Sequence, residues 1–169
     1  MAFLAWDVTD MMRLEGLITR LPNRRFKGSS MDIRHLTSDF AVSPQIAPDD
    51  VQTLKDAGFT TIICNRPDHE VTPDISSEAI RTAAEAAGLR FVLNPVDGAA
   101  MTLDNVEAQG AAAGDGPVFA YCRSGTRSSI VWAMSQAGKM DTDDILGACA
   151  AGGYDLGHLR GQIDALASR

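Results

Sequence analysis

Chemistry is concentrated in one run of this sequence, Tyr121-Cys122-Arg123-Ser124-Gly125-Thr126-Arg127-Ser128. The apolar stretch 117–121 before it predicts a buried strand, and Ser128 to Gln136 after it predicts a helix. A strand–loop–helix turn of this kind aims successive backbone N–H groups into one concavity. The helix adds the positive end of its dipole, so the loop is an anion cradle. Cys122 sits at the mouth, where the helix end and the guanidinium groups of Arg123 and Arg127 favour the thiolate, a nucleophile at neutral pH. Gly125 admits backbone angles closed to other residues. Arg127, at the end of the loop, can fold back and hold two oxygens of an oxyanion in its fork, a geometry lysine lacks. Ser124 and Thr126 complete the cradle, and Ser128 is placed to donate a hydrogen bond to the sulfur. Arginine is disfavoured at a helix N-terminus unless an anion sits there, which argues against reading Cys122 as a purely structural thiol.

Other candidate residues read differently. Cys64 ends a buried β-branched run and reads as a core thiol, with a resolving-cysteine role as the sharper alternative. Cys149, between Ala148 and Ala150, reads as packing. His35, His69 and His158 are scattered without metal-ligand spacing, so neither a metal nor a cofactor is expected.

The elements that must position the loop follow from local pattern. Strands are predicted at 40–42, 60–64, 90–93 and 117–121, each a short apolar or β-branched run closed by turn residues. Between them lie helices opened by Pro48-Asp49-Asp50, by Ser77 and by the capping residue Thr102; two more, near 144–150 and 156–167, close the chain. Strands alternating with helices of about ten residues imply an α/β fold, a parallel-rich central sheet flanked by helices. In such sheets ligands sit beyond the carboxyl ends of the strands. Cys122, the loop at Asn65-Arg66-Pro67 and the loop Asn94-Pro95-Val96-Asp97-Gly98 all fall there.

The bulk properties exclude several function classes. The chain has 169 residues, 45% of them apolar, enough for one core. A net charge of −7 argues against nucleic acid or an anionic membrane as partner. The sequence has neither a bilayer-length apolar run nor a basic-then-apolar leader, so a cytoplasmic location is expected. Three cysteines are too few for a disulfide framework. Residues 1–30 carry five basic against three acidic residues and end in an aperiodic polar run, so they read as a flexible N-terminal extension to a domain spanning 31–169.

Cys122-Arg123-Ser124-Gly125-Thr126-Arg127 resembles the six-residue active loop of rhodanese-type sulfurtransferases. The wider pattern, through Met31-Asp32-Ile33-Arg34, residues 40–45, residues 62–68 and Val96-Asp97-Gly98, resembles the family known as domain of unknown function 442. That resemblance implies a fold like that of the dual-specificity, cysteine-dependent phosphatases. Some members are joined to a persulfide dioxygenase, which the resemblance therefore names as a partner. This chain has no HxHxDH-type metal cluster and is expected to be a stand-alone version.

Two chemistries follow. Cysteine phosphatases use C-x5-R, usually after a histidine, whereas here the spacing is C-x4-R after Tyr121. The tighter loop suits a single sulfur atom. The first expectation is therefore sulfur transfer: Cys122 takes the sulfane sulfur of thiosulfate or a persulfide and passes it to a thiol or cyanide, with Arg123 and Arg127 holding the anionic end of the donor. The alternative is a phosphatase acting on phosphotyrosine or a small phosphomonoester. There the resemblance makes Asp97 the general acid, 25 residues before Cys122, with Asp68 a weaker candidate; Asp97 also reads as an ordinary turn residue. A third reading is a non-catalytic module that senses anions or thiol oxidation through Cys122.

Overall fold

The computed structural model describes residues 31–169, apart from Ala99 and Asp115. The expected extension, 1–30, lies outside the described residues. In chain order the elements are β1 (Arg34–His35), β2 (Phe40–Ser43), α1 (Val51–Asp56), β3 (Thr61–Cys64), α2 (Ser77–Ala86) and β4 (Arg90–Leu93). There follow α3 (Leu103–Ala112), β5 (Val118–Tyr121), α4 (Thr126–Ser135), α5 (Thr142–Ala151) and α6 (Arg160–Ala167).

The sheet order is β1-β2-β5-β3-β4. β2, β5, β3 and β4 run parallel, and only β1 pairs antiparallel, at the edge beside β2. The fold is thus α/β with a mostly parallel sheet, as expected. The antiparallel edge is the exception: β1 is two residues long and carries no periodicity of its own, so only its pairing with Ala41 and Val42 defines it.

β2, β3 and β5 are buried along their whole length because helices cover both faces. Alternation sends Phe40, Val42, Ile63, Val118 and Ala120 to one face, against Trp132, Ala133, Ile145, Cys149 and Ile163 of α4, α5 and α6. Ala41, Ile62, Cys64, Phe119 and Tyr121 face the other way, against Val51 and Leu54 of α1 and Ile80 and Ala84 of α2. No helix among the described residues is long and apolar enough to cross a membrane.

Register places the site. Tyr121 lies opposite both Ser43 and Cys64, and Cys64 lies opposite Leu93. The three chains therefore leave the sheet side by side as Cys122, Asn65 and Asn94. The Asn65 N–H bonds Tyr121 O at 2.9 Å and the Asn94 N–H bonds Cys64 O at 2.9 Å, carrying the ladder one step beyond the strands.

Candidate active site

The cysteine loop turns where β5 ends. Gly125 takes φ 88°, and α4 begins at Thr126, two residues earlier than the sequence pattern suggests. The reason lies in Gly125: its left-handed backbone starts the helix without a side-chain cap, and its carbonyl accepts from Ser129 N at 3.0 Å. A Cβ at this position would run into the Tyr154 hydroxyl. That hydroxyl donates to Ser124 O at 3.1 Å, so Tyr154 braces the loop from the far end of the chain.

Cys122 is fully buried at the base of the turn, and its Sγ accepts from Gly125 N at 3.1 Å. Ser128, expected to donate to that sulfur, does not. Its Oγ is buried without a hydrogen-bond partner among the described residues, and the loop's own N–H occupies the position instead. Arg123, Ser124 and Thr126 have exposed side chains around the rim, with Ser124 Oγ donating to Thr126 Oγ1 at 3.0 Å.

Arg127 is turned onto Glu70 and Val96, and its donors can be counted. Nη1 and Nη2 each bond one oxygen of Glu70 at 2.7 Å, and the second Nη1 hydrogen goes to Val96 O at 2.8 Å. An arginine has five N–H donors. Those left, Nε–H and one Nη2–H, point the same way and form a fork whose geometry matches two oxygens of an oxyanion. The Glu70 hydrogen bonds raise the Arg127 pKa most, with Cys122 adding to the effect.

Glu70 is the residue the sequence did not announce. Its carboxylate also accepts from Arg66 Nε at 3.2 Å, and Arg66 Nη2 bonds Glu70 O at 2.9 Å. The Arg127 hydrogen bonds bring its pKa down to about 2, against opposing desolvation and with Arg66 adding to the lowering. Glu70 is therefore ionised at any neutral or mildly acidic pH. The stability this pair adds is present above the ordinary glutamate pKa and disappears as pH falls through about 2. With only 17% of Arg127 and 24% of Glu70 side-chain surface exposed, the pair is better shielded than a surface salt bridge.

Asp97 lies beside Val96, whose carbonyl Arg127 holds, so the predicted acid loop and the cysteine loop meet through that arginine. The carboxylate is 73% exposed, open to a ligand, and stands 3.7 Å from His69 Nε2. His69 is thus not an isolated surface histidine. His69, Glu70 and Asp97 converge closely enough to suggest a metal cage, but the Glu70 oxygens are taken up by Arg127 and Arg66. Asp68 is engaged elsewhere, since its two oxygens accept from Ser77 N and Oγ at 2.7 Å and cap α2. Cys64 is buried, which raises its pKa, and donates to Arg66 O at 3.3 Å; burial likewise pushes the Cys149 thiol up to about 12.

Beneath the loops lies a buried cluster of amides that the sequence did not suggest either. Asn65, Asn94 and Gln109 are at most 4% exposed and hydrogen-bonded to one another. Asn105 joins them from the capping box at the start of α3. Loop amides are common and usually solvated; only the sheet register brings these together.

Comparison with known proteins agrees with this fold. Residues 32–139 match the family described as "Beta-lactamase hydrolase-like protein, phosphatase-like domain". Beta-lactamase hydrolase-like proteins from Xylella fastidiosa (Temecula1) and Agrobacterium fabrum are 32% identical over 131 residues and 35% identical over 120 residues. These alignments cover 75% and 69% of this chain but 30% and 27% of the relatives, so the chain spans about three tenths of their length. Among solved structures, a candidate phosphatase from Neisseria meningitidis Z2491 is 34% identical, with a TM-score of 0.69 over 80% of this chain and 99% of that one. Tk-PTP in its active form shares the fold at 14% identity and a TM-score of 0.64, over 82% and 97% of the two chains. Pseudomonas aeruginosa TpbA, solved with phosphotyrosine, shares it at 16% identity and 0.54, over 83% and 92%. The chain belongs to the phosphatase-like domain family of the beta-lactamase hydrolase-like proteins, the family also known as domain of unknown function 442.

Proposed function

We propose that this chain is a cysteine-dependent phosphatase of phosphomonoesters, with Cys122 as nucleophile, Arg127 and the loop N–H groups as phosphate ligands and Asp97 as general acid. One observation carries the reading: Arg127 binds the carbonyl of Val96, next to Asp97, while its guanidinium lies close enough to Cys122 for the two to interact. Nucleophile, anion clamp and acid then share one hydrogen-bonded frame. Phosphoryl transfer needs all three, whereas sulfur transfer to a thiol or cyanide has no leaving alkoxide to protonate. The phosphatase-like family supports the same choice, as do the complexes of TpbA with phosphotyrosine and of PTPMT1 with PI(5)P, both phosphate esters.

In the proposed cycle the Cys122 thiolate attacks phosphorus and the P–O bond of the ester breaks. The Asp97 carboxyl gives its proton to the departing oxygen. Water then attacks the phosphocysteine, the Asp97 carboxylate takes a proton from it, and S–P cleavage releases phosphate and restores the thiolate. Arg123, Ser124 and Thr126 surround the entrance, and Gly125 lets the backbone close around the phosphate.

Asp97→Asn tests the assignment through the leaving group. Phenyl phosphate needs the acid and should lose about 100-fold in kcat/KM, which reports the steps up to phosphocysteine, while p-nitrophenyl phosphate, with its more acidic phenol, should lose much less in kcat/KM. An equal loss on both esters, or none, would remove Asp97 from the mechanism. Sulfur transfer is the second reading, favoured by the C-x4-R spacing. It predicts that thiosulfate loads one sulfur on Cys122 and that Asp97→Asn leaves this loading unchanged.

A further inference from the structure

We infer that Gln109 is a positioning residue that sets the acid loop relative to the cysteine loop; the inference rests on the phosphatase reading above. Gln109 lies on α3, is 1% exposed, and its hydrogen bonds go to Asn65, Asn94 and Ser128. Its Oε1 accepts from Asn65 Nδ2 at 3.0 Å and from Asn94 Nδ2 at 3.2 Å, at the ends of β3 and β4. Its Nε2 donates to Ser128 O at 3.5 Å, in the first turn of α4, and to Asn65 Oδ1 at 3.4 Å. One buried amide thus joins the segment after the cysteine loop to the root of the acid loop.

The acid loop hangs from the same frame. Val96 N donates to Asn65 O at 3.0 Å, and Asn105 Nδ2 bonds Asn94 Oδ1 at 2.8 Å and Pro95 O at 3.1 Å. Asp97 itself is exposed, so its backbone must be held from below. Buried amides that satisfy one another are a rigid support, because breaking any link leaves polar groups without water or partner. An error of about 1 Å in the placing of a general acid costs on the order of 100-fold in rate.

The test is Gln109→Met, which keeps length and removes every polar contact. Asn65 Nδ2 retains Asn94 O and Asn94 Nδ2 retains Asn105 O, so both NH2 groups keep a partner, while Asn65 Oδ1 loses the bond from Gln109 Nε2. A second variant, Gln109→Glu, keeps the acceptor for Asn65 Nδ2 and Asn94 Nδ2 but puts an oxygen against Ser128 O and Asn65 Oδ1, cutting the two bonds that Nε2 donates, the link to the cysteine loop among them. It carries the test if the methionine variant does not fold.

Two readouts are taken: kcat and KM on phenyl and p-nitrophenyl phosphate, and amide hydrogen exchange at Val96. Positioning predicts at least about 10-fold loss of kcat/KM on phenyl phosphate and a several-fold smaller loss of kcat/KM on the nitrophenyl ester. It also predicts faster exchange at Val96 in Gln109→Met. Equal losses on the two esters, or no loss, overturn the inference even if Val96 exchange rises, because a general loosening would do the same. If the wild-type protein hydrolyses neither ester, the phosphatase reading fails instead. Val96 exchange then decides the coupling alone, and unchanged exchange overturns it.

Discussion

Cys122→Ser should abolish hydrolysis of aryl phosphates, by more than about 1,000-fold in kcat/KM, while the protein stays folded. A serine hydroxyl is protonated at neutral pH, and among the described residues no base is hydrogen-bonded at this position. The Sγ partner is the Gly125 N–H, a donor that stabilises a negative sulfur but cannot accept a proton. Serine fits the same buried space, so the thermal midpoint should move by only a few degrees. Inorganic phosphate should still bind, because the cradle and the Arg127 fork are intact. Steady-state hydrolysis, thermal melting and phosphate titration check the three parts. Appreciable turnover by the serine variant would mean that another group attacks phosphorus.

Arg127→Lys should be nearly as damaging, lowering kcat/KM by about 100-fold or more even though the charge is kept. Lysine offers one ammonium where the arginine holds two Glu70 oxygens, Val96 O and a free fork at once. The loss should appear in KM as well as kcat, since the fork binds ground state and transition state alike. Glu70 would keep Arg66 as its partner, so it would not be left as an unpaired charge. A lysine variant within about 3-fold of wild type would show that charge alone suffices and that the fork is idle.

Much of this arrangement could be read in the sequence because its signals are local. The runs at 61–64, 90–93 and 118–121 form strands as their β-branched and aromatic residues predict, and Thr102 caps its helix through Asn105 N at 3.3 Å. The cysteine loop was visible because a glycine and two arginines at those spacings serve one purpose. Ser128 misled: a hydroxyl close to the cysteine in sequence lies on a helix face that turns it into the core.

What stayed hidden depends on distant partners. Glu70 binds Arg127 across 57 residues and Tyr154 binds Ser124 across 30, and neither spacing has a local signature. The amides of Asn65, Asn94 and Gln109 meet only because the register sets the strand ends side by side. Loop length favoured sulfur transfer, since a shorter cradle suits a smaller group. The structure adds what length cannot convey, the loop of Asp97 fastened through Val96 to Arg127, and the family to which the chain belongs is described as phosphatase-like.

A cysteine-dependent phosphatase must carry a phosphoryl group on Cys122. Asp97→Asn with p-nitrophenyl phosphate should form phosphocysteine readily and hydrolyse it slowly, because the second step lacks its base. After rapid acid quench, peptide mass spectrometry should place one phosphoryl group on Cys122 and none on the Cys122→Ser control. No phosphoryl adduct, together with a cyanide-labile sulfur on Cys122 after incubation with thiosulfate, would contradict the account and assign the loop to sulfur transfer.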